Sequence, residues 1–406
     1  MSTPTKTVAA SSFRASRMSV APMSRLAVSR TRVAVPRLDW VLFGAAGLIL
    51  TIGTLLVWSA TSSNEVLTGG DSTAYLHKHL VNILIGLVLA AAVMATDHRW
   101  VRIVTPLVYV ASVIGLLLVL AMGTTINGSR SWLMLGGLSV QPAEFTKLAV
   151  VIGMAMIIAE RTENSRQRRV GLVDVALLGV LAGIPALLII LQPDLGTMLV
   201  LAATVFGVLA VAGVPRRWLI SLFVAGASLA FLAVSMGLLK QYQLNRFMAF
   251  TDPALDPRGA GYNTTQARIA IGNGGLFGQG LFDGSQTRSR FVPEQHTDFI
   301  FTVAGEELGL IGAGVLILLF AVVLWRALHI SMNADDMFGR VAAAGIACWF
   351  AFQTFQNIGM CLGIMPVTGV PLPLVSYGGS SMFASMMAVG LLLNIAMRGS
   401  TSTRSR

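Results

Sequence analysis

The chain has 406 residues, 55% of them hydrophobic and only 12% charged, with a mean hydropathy of +0.74. An ordinary soluble domain carries about 25% charged residues, so a water-soluble enzyme is excluded. The net charge of +11 comes from 29 Lys and Arg set mostly in short stretches between apolar runs, as orienting charges are, so a nucleic-acid partner is not expected.

Those apolar runs are long enough to cross the roughly 30 Å hydrocarbon layer, and they lack the alternation of a transmembrane barrel. The sequence therefore predicts an all-α integral membrane protein. Residues 1–37 come first, with seven Lys or Arg, no acid and many Ser and Thr. They read as a disordered basic tail near anionic membrane lipid, with an organelle transit peptide as the alternative. No short apolar segment ends in a small-residue cleavage site, so secretion is not expected.

Ten spans follow, at 38–58, 78–96, 103–122, 142–159, 172–191, 198–213, 219–239, 301–326, 341–362 and 382–397. The membrane domain is thus 38–397, and 398–406 is a short tail. Connections on one side, together with both tails, hold 20 of the 29 basic residues; the opposite loops hold eight, and Lys147 lies inside the fourth span. Positive-inside logic puts both termini in the cytoplasm.

Two connections on the outer side are unusual. Residues 240–300, between spans seven and eight, form a long extracytoplasmic loop with Asp252-Pro253 and Asp256-Pro257 turns, a Gly-rich stretch Gly272–Gly280 and a polar end Pro293–Asp298. Residues 366–381 hold three prolines and three glycines among apolar residues, which rules out a continuous helix. Irregular backbone at membrane depth is tolerated where protein buries it or a wet cavity borders it, so both segments point to an outward-facing site. Cys348 and Cys361 share one predicted helix; thirteen residues at about 1.5 Å put them roughly 20 Å apart, too far for a disulfide.

Three constellations carry the chemistry. Glu294, His296 and Asp298 crowd into five residues at the entrance to span eight, and Glu306 and Glu307 follow inside it. A lone carboxylate there could merely cap a helix, but acids this close to lipid are expensive and point to function. Glu144 and Lys147 stand three apart on one helix face behind Pro142. They form either a structural ion pair or a cavity-facing ammonium, oriented by Glu144, that meets an anionic substrate group. Arg246 and Lys240 mark the outer end of span seven; Lys240 reads as a snorkelling base, and Arg246 as either a snorkelling base or a guanidinium suited to a diphosphate. Asp194, after Gln192-Pro193, reads as a helix cap. The Gly-rich stretch has no preceding strand and no Gly-Lys-Ser, so no nucleotide is expected. His77 and His79 lack a third ligand for zinc.

These residues carry a resemblance. The chain resembles the SEDS family of bacterial membrane glycosyltransferases (shape, elongation, division and sporulation), and within it RodA more than FtsW. The matching stretches are Gln141–Lys147, Gln192–Thr197, Asp256–Tyr262, Pro293–Phe299 and Pro366–Ser381, in the family's order. The leaning to RodA rests on Pro366–Pro373 and on Gln295. The resemblance implies a ten-span fold that polymerises lipid II into glycan strands on the outer face of the bacterial cell membrane during elongation. It implies a class B penicillin-binding protein and other elongation-machinery membrane proteins as partners, Asp298 as the catalytic carboxylate, and functional roles for Glu144 and Lys147. With Arg246, Glu294, His296, Gln266, Ser376 and Tyr377 these make the candidate substrate-binding set. A divalent cation, Mg or Mn, on Asp298 or Glu294 is a further expectation, although the sequence offers no complete ligand set. The alternatives are a flippase for the same lipid and the related division polymerase.

Overall fold

The computed structural model describes residues 38–126, 129–135, 138–163, 171–237, 241–257 and 259–402, so the tail at 1–37 and Lys240 lie outside the described residues. Helix α1 (Trp40–Ser62), the single turn α2 (Glu65–Thr68), α3 (Ala74–Ala95) and α4 (His98–Met122) lead into strands β1 (Thr124–Ile126), β2 (Ser129–Leu135) and β3 (Leu138–Val140). Four long helices follow: α5 (Pro142–Glu163), α6 (Leu172–Leu191), α7 (Leu195–Val211) and α8 (Arg216–Ser235). Shorter helices α9 (Gln241–Thr251), α10 (Ala260–Asn273) and α11 (Ser285–Ser289) precede α12 (Ile300–Glu307), α13 (Gly309–Asn333), α14 (Met337–Leu362) and α15 (Gly379–Ser402).

The protein is an all-α membrane protein in its main body, and a helix stands at each expected span. Eight are long and apolar enough to cross a membrane: α1, α3, α4, α5, α6, α8, α13 and α15. At 17 residues α7 is shorter, and α14 is interrupted by Gln353, Gln356 and Asn357, so the full count of ten is an expectation beyond those eight.

Small residues bring the inner helices close, as the absence of a hydrophobic drive between helices in lipid requires. A Cβ on Gly390 of α15 would stand 2.5 Å from the Ala90 carbonyl oxygen of α3, and one on Gly207 of α7 would stand 2.3 Å from Cys348 Sγ of α14. Helices α5 and α15 are mostly buried, whereas α8 has no buried residue and turns its apolar surface outward. Cys348 and Cys361 are free, as their spacing requires.

Three features differ from the sequence reading. The α4–α5 connection is an antiparallel meander β1-β2-β3, paired Thr125 to Arg130 and Leu133 to Val140. The expected loop at 240–300 is largely folded into α9, a 3-10 turn at Pro253–Leu255, α10 and α11.

Span eight is not one helix. It breaks at Leu308-Gly309, where Gly309 takes φ +66°, and the freed N–H groups of Leu310 and Ile311 donate to the carbonyls of Gly275 and Leu276 at 2.9 and 3.1 Å. The Gly-rich stretch is therefore a backbone clasp around this break. A Cβ on Gly278 would lie 2.1 Å from the Glu307 carbonyl oxygen, which accounts for a glycine without any nucleotide.

Candidate active site

The irregular run between α14 and α15 forms one wall, and three amide side chains from α14 hold it. Gln353 Nε2 donates to Pro371 O at 2.8 Å, Gln356 Nε2 to Thr368 Oγ1 at 2.7 Å and Asn357 Nδ2 to Val370 O at 2.7 Å. Two of these bonds satisfy carbonyls that no helix serves, and the third fixes the Thr368 hydroxyl. The second Asn357 N–H reaches Asp298 O at 2.7 Å and fixes the acid's backbone to the same wall. Sequence reasoning missed these amides, yet three of them one helical turn apart in an apolar helix were a readable signal.

Asp298 follows a tight turn in which Glu294 takes φ +52° and its carbonyl accepts from the N–H groups of Thr297, Asp298 and Phe299. A non-glycine residue held in that region marks local strain at a functional turn. The half-buried Asp298 carboxylate lies against Gly369, where φ is +71° and an added Cβ would be 3.1 Å from Oδ2. Burial pushes this carboxyl up to about 7; the Glu294 and Asp194 charges add to the rise and Arg246 opposes it. Among the described residues no hydrogen bond reaches its carboxylate oxygens.

Arg246 stands in a cleft lined by Pro193, Leu199, Tyr242, Pro366 and Thr368. Its guanidinium lies 5.5 Å from the Tyr242 ring, whose hydroxyl donates to Pro193 O at 2.9 Å. Asp194 is the expected cap: it accepts from Thr197 N at 3.0 Å and Thr197 Oγ1 at 2.9 Å, and also from Gln141 Nε2 at 3.2 Å. Burial raises its carboxyl and those Thr197 bonds oppose the rise.

The Glu144–Lys147 pair takes the ion-paired form of the two arrangements that the sequence left open. Lys147 Nζ bonds Glu144 Oε1 at 2.8 Å and Gln353 Oε1 at 2.7 Å, and it lies 5.1 Å from the centre of the Trp349 ring. Both side chains are closed in, at 0% and 1% exposure, so the ammonium does not face an open cavity. Lys147 acts on the wall through Gln353, whose amide carries the chain of bonds on to Pro371.

The other candidates divide. His296 is buried among the rings of Tyr75 and Tyr377, and burial lowers its basicity against the opposing pull of Glu294. The Tyr377 N–H donates to His296 O at 2.8 Å, so the two wall segments are stitched together. Glu294 is exposed, and among the described residues its carboxylate accepts only from Thr297 Oγ1, at 3.3 Å. Ser376 is buried, and its Oγ accepts from Leu372 N at 2.8 Å within its own loop. Gln266, half-buried on α10, makes no side-chain hydrogen bond to this group among the described residues. Glu306 is structural, accepting from Gln286 N, Thr287 N, Thr287 Oγ1 and Ser285 Oγ to tie α11 to α12. Among the described residues no three His, Cys, Asp or Glu gather as a metal would require.

A half-buried acid that follows a strained turn thus stands beside a cleft lined by a guanidinium. The cell cycle protein family of FtsW, RodA and SpoVE matches residues 39–401. The chain belongs to this family. It is 39% identical to stage V sporulation protein E of Bacillus subtilis over 86% of this chain and 94% of that protein. It is 38% identical to a probable peptidoglycan glycosyltransferase FtsW of Trichlorobacter lovleyi over 88% and 93%. A solved peptidoglycan synthase complex, described as coordinating polymerization and crosslinking, superposes with a TM-score of 0.74 at 32% identity over 89% and 98%. The RodA of Thermus thermophilus gives 0.64 at 30% over 88% and 96%. Near-equal identity to differently named relatives does not single out one branch, so the leaning to RodA goes forward as a proposal.

Proposed function

We propose that this membrane enzyme is a peptidoglycan glycosyltransferase that polymerises lipid II into glycan strands. The observation that carries the reading is Asp298, a carboxyl raised to about 7 and set between Gly369 and the influence of Arg246 in a chain of this family. In the reaction a sugar hydroxyl oxygen forms a bond to the anomeric carbon of a lipid-linked sugar. The bond from that carbon to the diphosphate oxygen breaks, and its electron pair leaves with the diphosphate. Asp298 takes the hydroxyl proton as the new bond forms, and a base with a pKa near the operating pH does this best. Inversion follows from one displacement. Arg246 supplies positive charge for the departing diphosphate, in the planar geometry that suits phosphate oxygens.

A Mg or Mn ion would be held by Asp298 or Glu294, since such ions are commonly bound through one or two carboxylates. The ion would add charge stabilisation at the diphosphate. A role in elongation follows from the Pro366–Pro373 run and Gln295. The synthase complex among the structural relatives supports a crosslinking class B penicillin-binding protein as partner. The basic loops support cytoplasmic termini, with the site on the outer face of the membrane.

The test is glycan synthesis from lipid II, without added nucleotide, by purified protein alone and with the partner transpeptidase. Polymer is expected from the wild type, and Asp298→Asn at matched amounts should make about 10²-fold less, the scale of lost acid–base catalysis. Near-normal polymer from Asp298→Asn would remove Asp298 as the base.

A further inference from the structure

Four rings gather beside Asp298 that the reaction above leaves unused. Tyr75 and His79 lie one helical turn apart on α3, and they meet His296 and Tyr377 from the two wall segments. The Tyr75 ring is 5.3 Å from His296 and 5.0 Å from Tyr377; Tyr377 is 5.7 Å from His296 and 6.0 Å from His79. His296 is two residues from Asp298, so whatever these rings hold is within reach of the base.

His79 is the decisive member. It is fully buried, and neither Nδ1 nor Nε2 has a hydrogen-bond partner. A buried imidazole left without a partner costs stability, and a leucine would pack there without that cost. Such an imidazole has two ring nitrogens available to a ligand atom. The chemistry of the group selects the ligand. Aromatic rings present flat apolar faces with polar handles at their edges, matching a pyranose, whose C–H face is apolar and whose hydroxyl and acetamido groups bond imidazole and phenol. Among the described residues no guanidinium contributes to the group, and its one cation is Lys78, exposed at the rim, 5.0 Å from the Tyr75 ring centre.

Resting on the glycosyltransferase reading, we propose that Tyr75, His79, His296 and Tyr377 form the subsite for the pyranose that presents the attacking hydroxyl, separate from the Arg246 cleft that takes the diphosphate. The rings orient the sugar, Tyr377 moving enough to let a sugar oxygen reach the His79 imidazole. Tyr75 and His79 are thereby assigned a substrate-binding role.

The test uses the full-length protein in detergent with two soluble probes, N,N′-diacetylchitobiose followed by saturation-transfer NMR and inorganic pyrophosphate followed by phosphorus line broadening. Wild type should bind both. His79→Leu should bind pyrophosphate normally and the disaccharide at least tenfold more weakly, with an unchanged or raised melting temperature, because a purely structural imidazole would give the stability gain alone. Arg246→Gln should show the reverse pattern. Tyr377→Phe, which keeps the ring, should weaken the disaccharide only, and it serves if His79→Leu does not fold. The inference is overturned if wild type shows no saturable disaccharide binding, if both variants bind it normally, or if both lose the two probes together. Disaccharide binding by a wild type that makes no polymer from lipid II would instead defeat the glycosyltransferase reading and leave the sugar subsite standing.

Discussion

The Glu144–Lys147 junction and the Glu294–Asp298 turn are built from the same kinds of group and treat them in opposite ways. In the first, opposite charges meet at 2.8 Å out of contact with water, and Gln353 and Trp349 take up the rest of the ammonium. In the second, two carboxylates repel each other, the backbone is held at φ +52°, and the basic neighbour only partly offsets the repulsion. Paired charge holds the framework, with Glu144 Oε2 buried and unpartnered among the described residues, while the repelled Asp298 carboxyl is left free to take a proton. The two regions are joined through the wall, since Gln353 carries Lys147 to Pro371 and Asn357 carries Val370 to Asp298.

If that division holds, damage to the first region should appear as lost stability. Lys147→Met leaves the Glu144 carboxylate buried without its partner, and breaking a buried pair this way costs about 3–5 kcal/mol. Denaturation in detergent should show that loss. Adding Glu144→Gln should restore most of it, because replacing both partners is far less costly than removing one. A double variant as unstable as the single one would show that Lys147 acts through something other than this pair.

Asp298 should behave in the reverse sense. Its folded pKa of about 7 lies above the unfolded value of about 3.9, so its contribution to stability is fully present below pH 4 and is lost as pH rises through 7. Asp298→Asn should therefore be more stable than wild type above pH 7, with the gap closing toward pH 4, even as polymer synthesis falls about 10²-fold. Melting temperatures of the two proteins from pH 4 to pH 8 measure it. A variant that is less stable at pH 8 would place this acid with the framework.

The positions of the helices were legible because an apolar run of the right length has few alternatives in a membrane. Their internal defects were not. The run from Phe301 to Trp325 is apolar but for Thr302, Glu306 and Glu307, and it breaks at Gly309, where a loop distant in sequence supplies the carbonyls that the break needs. The β meander left a signal in Trp132–Leu135 followed by Gly136-Gly137, a strand followed by a turn, but it was lost among longer apolar runs. At the site, Asp298 and Arg246 could be read from residue type and place in the chain. Whether Lys147 faces a cavity or a core depends on Gln353 and Trp349, which are two hundred residues away and visible only in the fold.

The finest distinction between the two regions lies in the pH at which Asp298 becomes a base. Polymer synthesis should rise with pH through a midpoint near 7, since only the ionised carboxylate can accept the hydroxyl proton. After burial, the Glu294 charge is the larger of the two carboxylate influences that raise this value, and Arg246 is the group that lowers it. Glu294→Gln should thus move the midpoint down, and Arg246→Gln should move it up. Both shifts should stay within about one pH unit, the scale of a single charge acting across a partly solvated site. Arg246→Gln should also slow the reaction at saturating pH, since it removes charge from the diphosphate. Lys147 offers the control: its charge is neutralised by Glu144, so the Glu144→Gln, Lys147→Met double variant should leave the midpoint in place. Shifts of the same sign from Glu294→Gln and Arg246→Gln would mean that the group titrating in the rate profile is not Asp298.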